Sequence, residues 1–358
     1  MPRFTKVYKI IVEGDDPTMK KILIIFCSIL LIVSSFIGCN SSNNNIKTKS
    51  TELVIYSGRK EPLFIPVVLK FEEKTGIKVT LQSGDTPALA NAILEERSNP
   101  RADIFVAGDA GTLEKLNMEK VLLPNSSKLI NALDSKFKAK NGSWVSVSAR
   151  ARIIMYNTNL VSEVDLPKSM LDLTNPKWKG QIGIQLSSNE SFIAQITAMR
   201  KVMGDPAVEK FLRDLKANNP ESLKSSTDIR KAVGSGELKL GMTNHYYYFL
   251  EKHEGSPIGI IYPDQDINSM GTTINVSGAG ILKGAKNVEN AKLFIDFLLE
   301  KNTQKMFAEL NYEMPVMEGV EVKEAKPISE IKSIDIKLEE LGKELNNTIN
   351  LMEKVDLP

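Results

Sequence analysis

The chain has 358 residues, 42% of them hydrophobic and 25% charged, an ordinary globular composition at a length that suits two lobes better than one compact domain. Lys plus Arg (46) nearly cancels Asp plus Glu (44), and a net charge of +2 leaves no electrostatic footprint for nucleic acid. Aromatic residues make up only 6% of the chain, yet Tyr246, Tyr247 and Tyr248 stand side by side.

Residues 1–18 carry no targeting logic, and Met19-Lys20-Lys21 reads as the natural start, so this segment is expected to be a gene-model extension. Lys20 and Lys21 precede an apolar run from Ile22 to Ile37, followed by Gly38, Cys39 and Asn40. The run is short of the roughly 20 residues a membrane span needs and fits the apolar region of a signal peptide. A small residue directly before Cys39 resembles the bacterial lipobox, with Phe36 standing where Leu is usual. Residues 19–38 are therefore expected to be a lipoprotein signal peptide, Cys39 the lipidated residue, and 39–51 a polar tether. An uncleaved anchor helix is the alternative, and both place the remainder outside the cytoplasm, periplasmic if the cell has an outer membrane. The other cysteine, Cys27, lies inside the apolar run, so a mature chain has no thiol for metal, and a transition-metal site must use oxygen and nitrogen donors.

Beyond the tether, strand-like and helix-like segments alternate. Glu52–Tyr56 reads as a buried strand ended by Ser57-Gly58, and Leu63–Thr75 as a helix stopped at Gly76. Ile77–Leu81 and Ala102–Ala107 follow as strands around a helix over Pro87–Arg97 with Asp85 or Thr86 as its cap, and Gly111–Met118 starts another helix. Further strands are expected at Ile153–Tyr156, Gly183–Leu186, Leu238–Thr243 and Thr272–Leu282, with helices at Phe192–Met203, Ala207–Ala217 and Val288–Glu300. Residues from Ile328 to Glu353 read as one charge-laced helix. This alternation implies α/β architecture, a mostly parallel sheet covered by helices.

Asn244 follows one of these strands and precedes a helix-like run, so it is placed to cap the helix and leave backbone N–H groups facing the crevice beyond the strand end. Adjacent side chains point to opposite faces of a strand and about 100° apart on a helix, so two neighbouring tyrosines share a ligand only at a turn or helix start. Tyr246 and Tyr247 occupy such a junction. Phenolate is a hard anionic donor suited to a small, highly charged cation, and its ordinary pKa near 10 makes binding release protons. An aromatic cluster packing a helix on its sheet is the other reading.

Seven segments in order carry a resemblance: Val54-Ile55-Tyr56-Ser57-Gly58-Arg59, Phe71–Val79, Ala102–Gly111, Ser148–Tyr156, Pro176–Gly183, Thr243–Tyr248 and Ser277–Lys283. Together they resemble the bacterial ferric-ion-binding periplasmic receptors, within the family 1 extracellular solute-binding proteins. The resemblance implies a two-lobed periplasmic-binding fold, with lobe one over 51–150 plus 272–327, lobe two over 151–271, a helix over 328–358 packing across, and the ligand held between lobes that close by hinge motion. It implies a monomeric lipoprotein that captures ferric iron and passes it to an ABC permease and its ATPase, held on the membrane by its lipid anchor. Tyr246 and Tyr247 match the family's paired iron ligands.

Relatives place a His after the first strand, where this chain has Arg59-Lys60, and a Glu where it reads Gly108-Asp109. Asp109 is therefore expected to replace the carboxylate one residue along, and Tyr156 (or Tyr56) to add a phenolate; a core strand tyrosine is the other reading of Tyr156. Arg59, with Ser57 and Gly58 beside it, and Arg150 and Arg152, which alternate onto one strand face, suggest a bound anion that a guanidinium fork can match. Carbonate, phosphate and citrate are candidates. Ser187, Ser188 and Asn189 match a loop contacting that anion in relatives, and Ser226 sits in another such stretch. His245 is expected to turn away from the metal, and His253 to be a surface residue.

An organic or anionic cargo (phosphonate, sugar phosphate, thiamine or polyamine) on the same receptor is the alternative function. An enzyme is not expected: the chain has no G-x-S-x-G elbow, no P-loop, and no His in a credible nucleophile arrangement.

Overall fold

The computed structural model describes residues 50–357; the expectations for residues 1–38, for Cys39 and for most of the tether lie outside them. In chain order the main elements are β1 (Glu52–Ser57), α1 (Glu61–Thr75), β2 (Lys78–Ser83), α2 (Thr86–Glu95), β3 (Ile104–Ala107), α3 (Ala110–Met118), β4 (Leu122–Leu123), α4 (Lys128–Ala132) and β5 (Val145–Asn157). They continue with β6 (Ile182–Gln185), α5 (Glu190–Met203), α6 (Asp205–Ala217), β7 (Glu221–Leu223), α7 (Ser226–Ser235), β8 (Leu240–Asn244), α8 (His245–His253), β9 (Ile258–Ile261) and β10 (Ile274–Leu282). The chain ends with α9 (Val288–Leu299), α10 (Lys301–Asn311), α11 (Glu339–Lys343) and α12 (Leu345–Val355).

Local sequence explains the first unit. Pro62 starts α1, Gly76 ends it in the left-handed region at φ 71°, and its N–H donates to the Glu72 carbonyl at 2.8 Å. Phe64, Val67, Val68 and Phe71 fall on one helical face, and the Phe71 ring meets Phe294 of α9 edge-on at 4.9 Å.

One continuous hydrogen-bonded path of strands runs β2-β1-β3-β10-β5-β8-β6-β7, with β4 on β10 and β9 on β5. The flanking pairs β1–β2, β1–β3, β6–β7 and β6–β8 are parallel, whereas β10 and β5 run antiparallel through the middle. The 13-residue β5 belongs to both halves. Residues 145–151 pair with β10, and Arg152–Asn157 pair with β8 and β9. Two hydrophobic cores flank this crossover. One gathers Leu53, Phe64, Phe105, Val145 and Phe294; the other gathers Ile154, Ile182, Phe192, Leu240 and Met352.

The single helix expected over Ile328–Glu353 is replaced by a short 3-10 turn at Ile328–Glu330, an extended stretch, and then α11 and α12. The break has a tertiary cause. Thr272 donates its N–H to the Lys332 carbonyl (2.8 Å) and accepts from the Ile334 N–H (3.0 Å), so this stretch is drawn alongside the approach to β10 while Ile331, Ile334 and Leu338 are buried. Leu341 then joins the first core, and Leu351, Met352 and Val355 join the second.

Candidate functional site

β8 runs directly into α8, and Asn244 at the junction keeps extended backbone (φ −88°, ψ 147°) before the helix begins. The first helical turn then fans out three consecutive rings. His245 points inward: its Nδ1 accepts from the Ala151 N–H at 3.2 Å, so Nε2 carries the proton and donates to the Tyr312 carbonyl at 2.8 Å. Burial, and Arg150 to a lesser degree, depress this imidazole to about 4 against its contacts with Tyr312 and Glu313, so it is neutral and committed. Tyr246 and Tyr247 turn the other way, their ring centroids 4.3 Å apart at 34°. Both rings are more than nine-tenths buried, at 7% and 6% exposure, yet both line a polar cleft of about 440 Å³.

The opposite wall comes from the ends of β1 and β3. Gly58 lies so close to Thr86 at the start of α2 that a side chain there would fall on the Thr86 hydroxyl. That hydroxyl accepts the Gly108 N–H at 3.1 Å and tethers the two strand ends together. Asn189, Glu190 and Ser191 at the start of α5, and Lys224, Ser225 and Ser226 before α7, supply further walls.

Of the residues singled out in the sequence, Gly58, Arg59, Arg150, Asn189, Ser226, Asn244, Tyr246 and Tyr247 line this one cleft. Several do so in roles other than those expected. Asn244 does not cap α8 with its side chain; its Oδ1 accepts from Arg152 Nη1 at 3.2 Å. Arg59 is not free for an anion, because Glu313 holds it at 2.5 Å from Nη2 and 3.2 Å from Nη1, with Ser148 accepting at 3.2 Å. Asn189 caps α5, its Oδ1 accepting from the N–H groups of Ser191 (3.0 Å) and Phe192 (3.2 Å). Arg150 keeps a buried Nε without a partner among the described residues, while another nitrogen reaches the Val276 carbonyl at 3.4 Å. Ser226 accepts from Gln185 at 2.5 Å.

The other expected residues do not line the cleft. Ser57 is fully buried and accepts from the Arg59 N–H at 3.2 Å, shaping the turn beneath it. Ser188 is exposed. Arg152 lies behind Asn244, its Nε bonded to Gln195 at 2.9 Å; burial takes this guanidinium down to about 9, against the pull of Tyr246 and Tyr247, so it remains cationic at neutral pH. Asp109 is the cap of α3, accepting from the Thr112 N–H (2.7 Å) and hydroxyl (2.8 Å); burial and neighbouring Glu190 push it up to about 6. Tyr156 shares the alternation of Arg150 but sits six residues further along β5, about 20 Å away at strand rise, with its ring against Gly259. Tyr56 points elsewhere too, donating to Glu96 at 3.1 Å.

Two carboxylates were not foreseen. Glu313 gave no local signal, because its partner Arg59 is 254 residues away in sequence. Glu190 directly follows the flagged Ser188-Asn189 and starts α5, where an acidic residue also suits the helix dipole. The arrangement is suited to a hard cation. Among the described residues no three His, Cys, Asp or Glu groups gather to hold a metal. Arg150 lowers the cost of ionising Tyr247, which burial first, and then Tyr246 beside it, raise well above the ordinary phenol value.

Residues 99–336 match the family model for the bacterial extracellular solute-binding protein. Iron uptake protein A1 of Synechocystis is 30% identical over 85% of this chain and 86% of its own length. Iron-bound HitA from Pseudomonas aeruginosa superimposes with a TM-score of 0.80 at 30% identity, over 86% of this chain and 99% of that one. Trichodesmium FutA in complex with iron and citrate gives 0.74 at 31% identity, over 86% and 100%. A two-lobed fold, a polar cleft at the strand ends and a match over two thirds of its length together make this chain a member of the bacterial extracellular solute-binding protein family.

Proposed function

We propose that the protein captures ferric iron in the cleft and delivers it to the permease and ATPase of an ABC importer, acting as a monomer held on the outer face of the cell membrane by lipid on Cys39. The observation that carries this reading is the pair of adjacent phenols on the first turn of α8, buried side by side against one polar cleft. The relatives and neighbours named for iron uptake and iron binding support it. Tyr246 and Tyr247 act as phenolate ligands. Arg150 and Lys224 provide positive charge at the same cleft for an anion accompanying the metal, such as carbonate, phosphate or citrate. The lobes divide as 51–150 plus 272–327 against 151–271, consistent with the crossover of β5 at residues 151–152.

The same cations favour a second reading, in which an organic anion such as a phosphonate or sugar phosphate is the whole cargo. Titration of the soluble form lacking residues 1–40 with ferric citrate separates the two. Iron–phenolate coordination produces a visible absorption band that saturates at one iron per protein. A colourless protein that ignores ferric citrate but binds a phosphorylated sugar overturns the iron reading.

A further inference from the structure

We propose that Glu190 is a direct ligand of the bound metal, presenting an internal carboxylate that makes capture independent of the accompanying free anion; this rests on Tyr246 and Tyr247 holding ferric iron. Four carboxylates line the cleft: Glu61, Asp85, Glu190 and Glu313. Glu61 and Asp85 are exposed at its rim. Glu313 is held by Arg59, and the neighbouring Asp109, outside the cleft lining, is spent on capping α3. Glu190 alone is partly buried while having no hydrogen-bond or ion-pair partner among the described residues. Helix α5 does not require it either, because Asn189 already satisfies the first-turn N–H groups.

The position of the side chain is informative. Glu190 Oε1 lies 3.3 Å from the point a Cβ on Gly108 would occupy, so a carboxylate rooted in α5 reaches across to the end of β3. It lines the same cleft as Tyr246 and Tyr247, on the wall opposite the ends of β1 and β3 that it approaches. A half-buried carboxylate without a counter-charge, sharing a cleft with two phenols, is costly by itself. It becomes favourable around a trivalent cation, where one carboxylate and two phenolates balance the charge with hard oxygen donors alone.

The test uses the soluble protein and iron added as ferrous chloride and oxidised with CO2-free oxygen, in degassed buffer free of carbonate, phosphate and citrate. The wild type is expected to develop its visible band without any added anion. Glu190→Gln, which keeps shape but removes charge, is expected to lose at least about tenfold in affinity in that buffer, with its band moved to longer wavelength because a less electron-rich iron accepts phenolate charge more easily. Added citrate or carbonate should restore most of the loss in Glu190→Gln and change little in the wild type. Glu190→Asp, with the charge withdrawn by one methylene, should fall between them, and matching melting temperatures of the apo proteins exclude a folding defect. An unchanged band and affinity in Glu190→Gln, or a wild type that takes iron only with added anion, overturns the assignment while leaving the tyrosines in place. A wild type that never colours overturns the tyrosine reading itself.

Discussion

Replacing Tyr247 with phenylalanine tests the site through a quantity that a packing role does not move. The ring is retained, still packed at 4.3 Å and tilted against Tyr246, so the volume of the α8 turn is preserved and the change in apo stability should stay within about 1 kcal/mol. What disappears is one exchangeable proton. A phenol ordinarily ionises near pH 10, and burial raises Tyr247 further, so a site built on two phenolates releases two protons when iron binds near neutral pH. Each released proton makes the apparent association constant tenfold more favourable per pH unit, so the wild type should change by about 100-fold per unit and Tyr247→Phe by about tenfold. The assay is competition with a chelator between pH 6 and 8, corrected for the chelator's own protonation and read at the visible band, which should lose much of its intensity in the variant. A Tyr247→Phe protein with the wild-type slope and an undiminished band refutes phenolate ligation by this residue.

Arg59→Met leaves Glu313 buried without its cation and should cost about 3–5 kcal/mol in denaturant unfolding, most of it recovered in the Arg59→Met/Glu313→Leu double variant. A loss below 1 kcal/mol in the single variant would mean that the pair is structurally idle. Glu313, raised by burial but pulled lower overall by Arg59, contributes stability above the unfolded value of 4.5 that is lost as pH falls through its folded value. His245 dominates a higher window. Its folded value is depressed to about 4 from 6.5, so between these limits only the unfolded chain takes up the proton, and acidification should remove about 3 kcal/mol of apo stability. His245→Gln should be less stable at pH 7 but flatter across that window in urea midpoints; parallel pH profiles for the two proteins would refute the buried neutral imidazole.

The alternation of elements was legible because periodicity is local. The four fully buried residues of β3 and the spaced apolar face of α1 each declare themselves within a few residues. The tyrosine pair was legible for a similar reason, since a strand end followed by a helix start is the one setting in which adjacent side chains converge. Tyr156 and Asp109 lie outside the cleft lining for opposite reasons. Tyr156 had a suitable face but sat too far along a 13-residue strand. Asp109 was in a suitable place but had a stronger local use, capping α3 through Thr112. The helix expected from Ile328 onward failed because backbone bonds to Thr272 outweighed a weak helical pattern.

The order of amino acids was enough to show which donors are on offer: adjacent phenols, no cysteine after Cys39, and two histidines without a metal spacing. It was also enough to place two phenols on one helical turn, because the angle between neighbouring residues is a property of the helix. Only the tertiary structure decided which charges meet. Arg59 found Glu313 from 254 residues away, and Glu190 crossed to the space above Gly108. Such pairings depend on how separate strand ends are brought together, and electrostatic interactions act through distance in space without regard to distance along the chain.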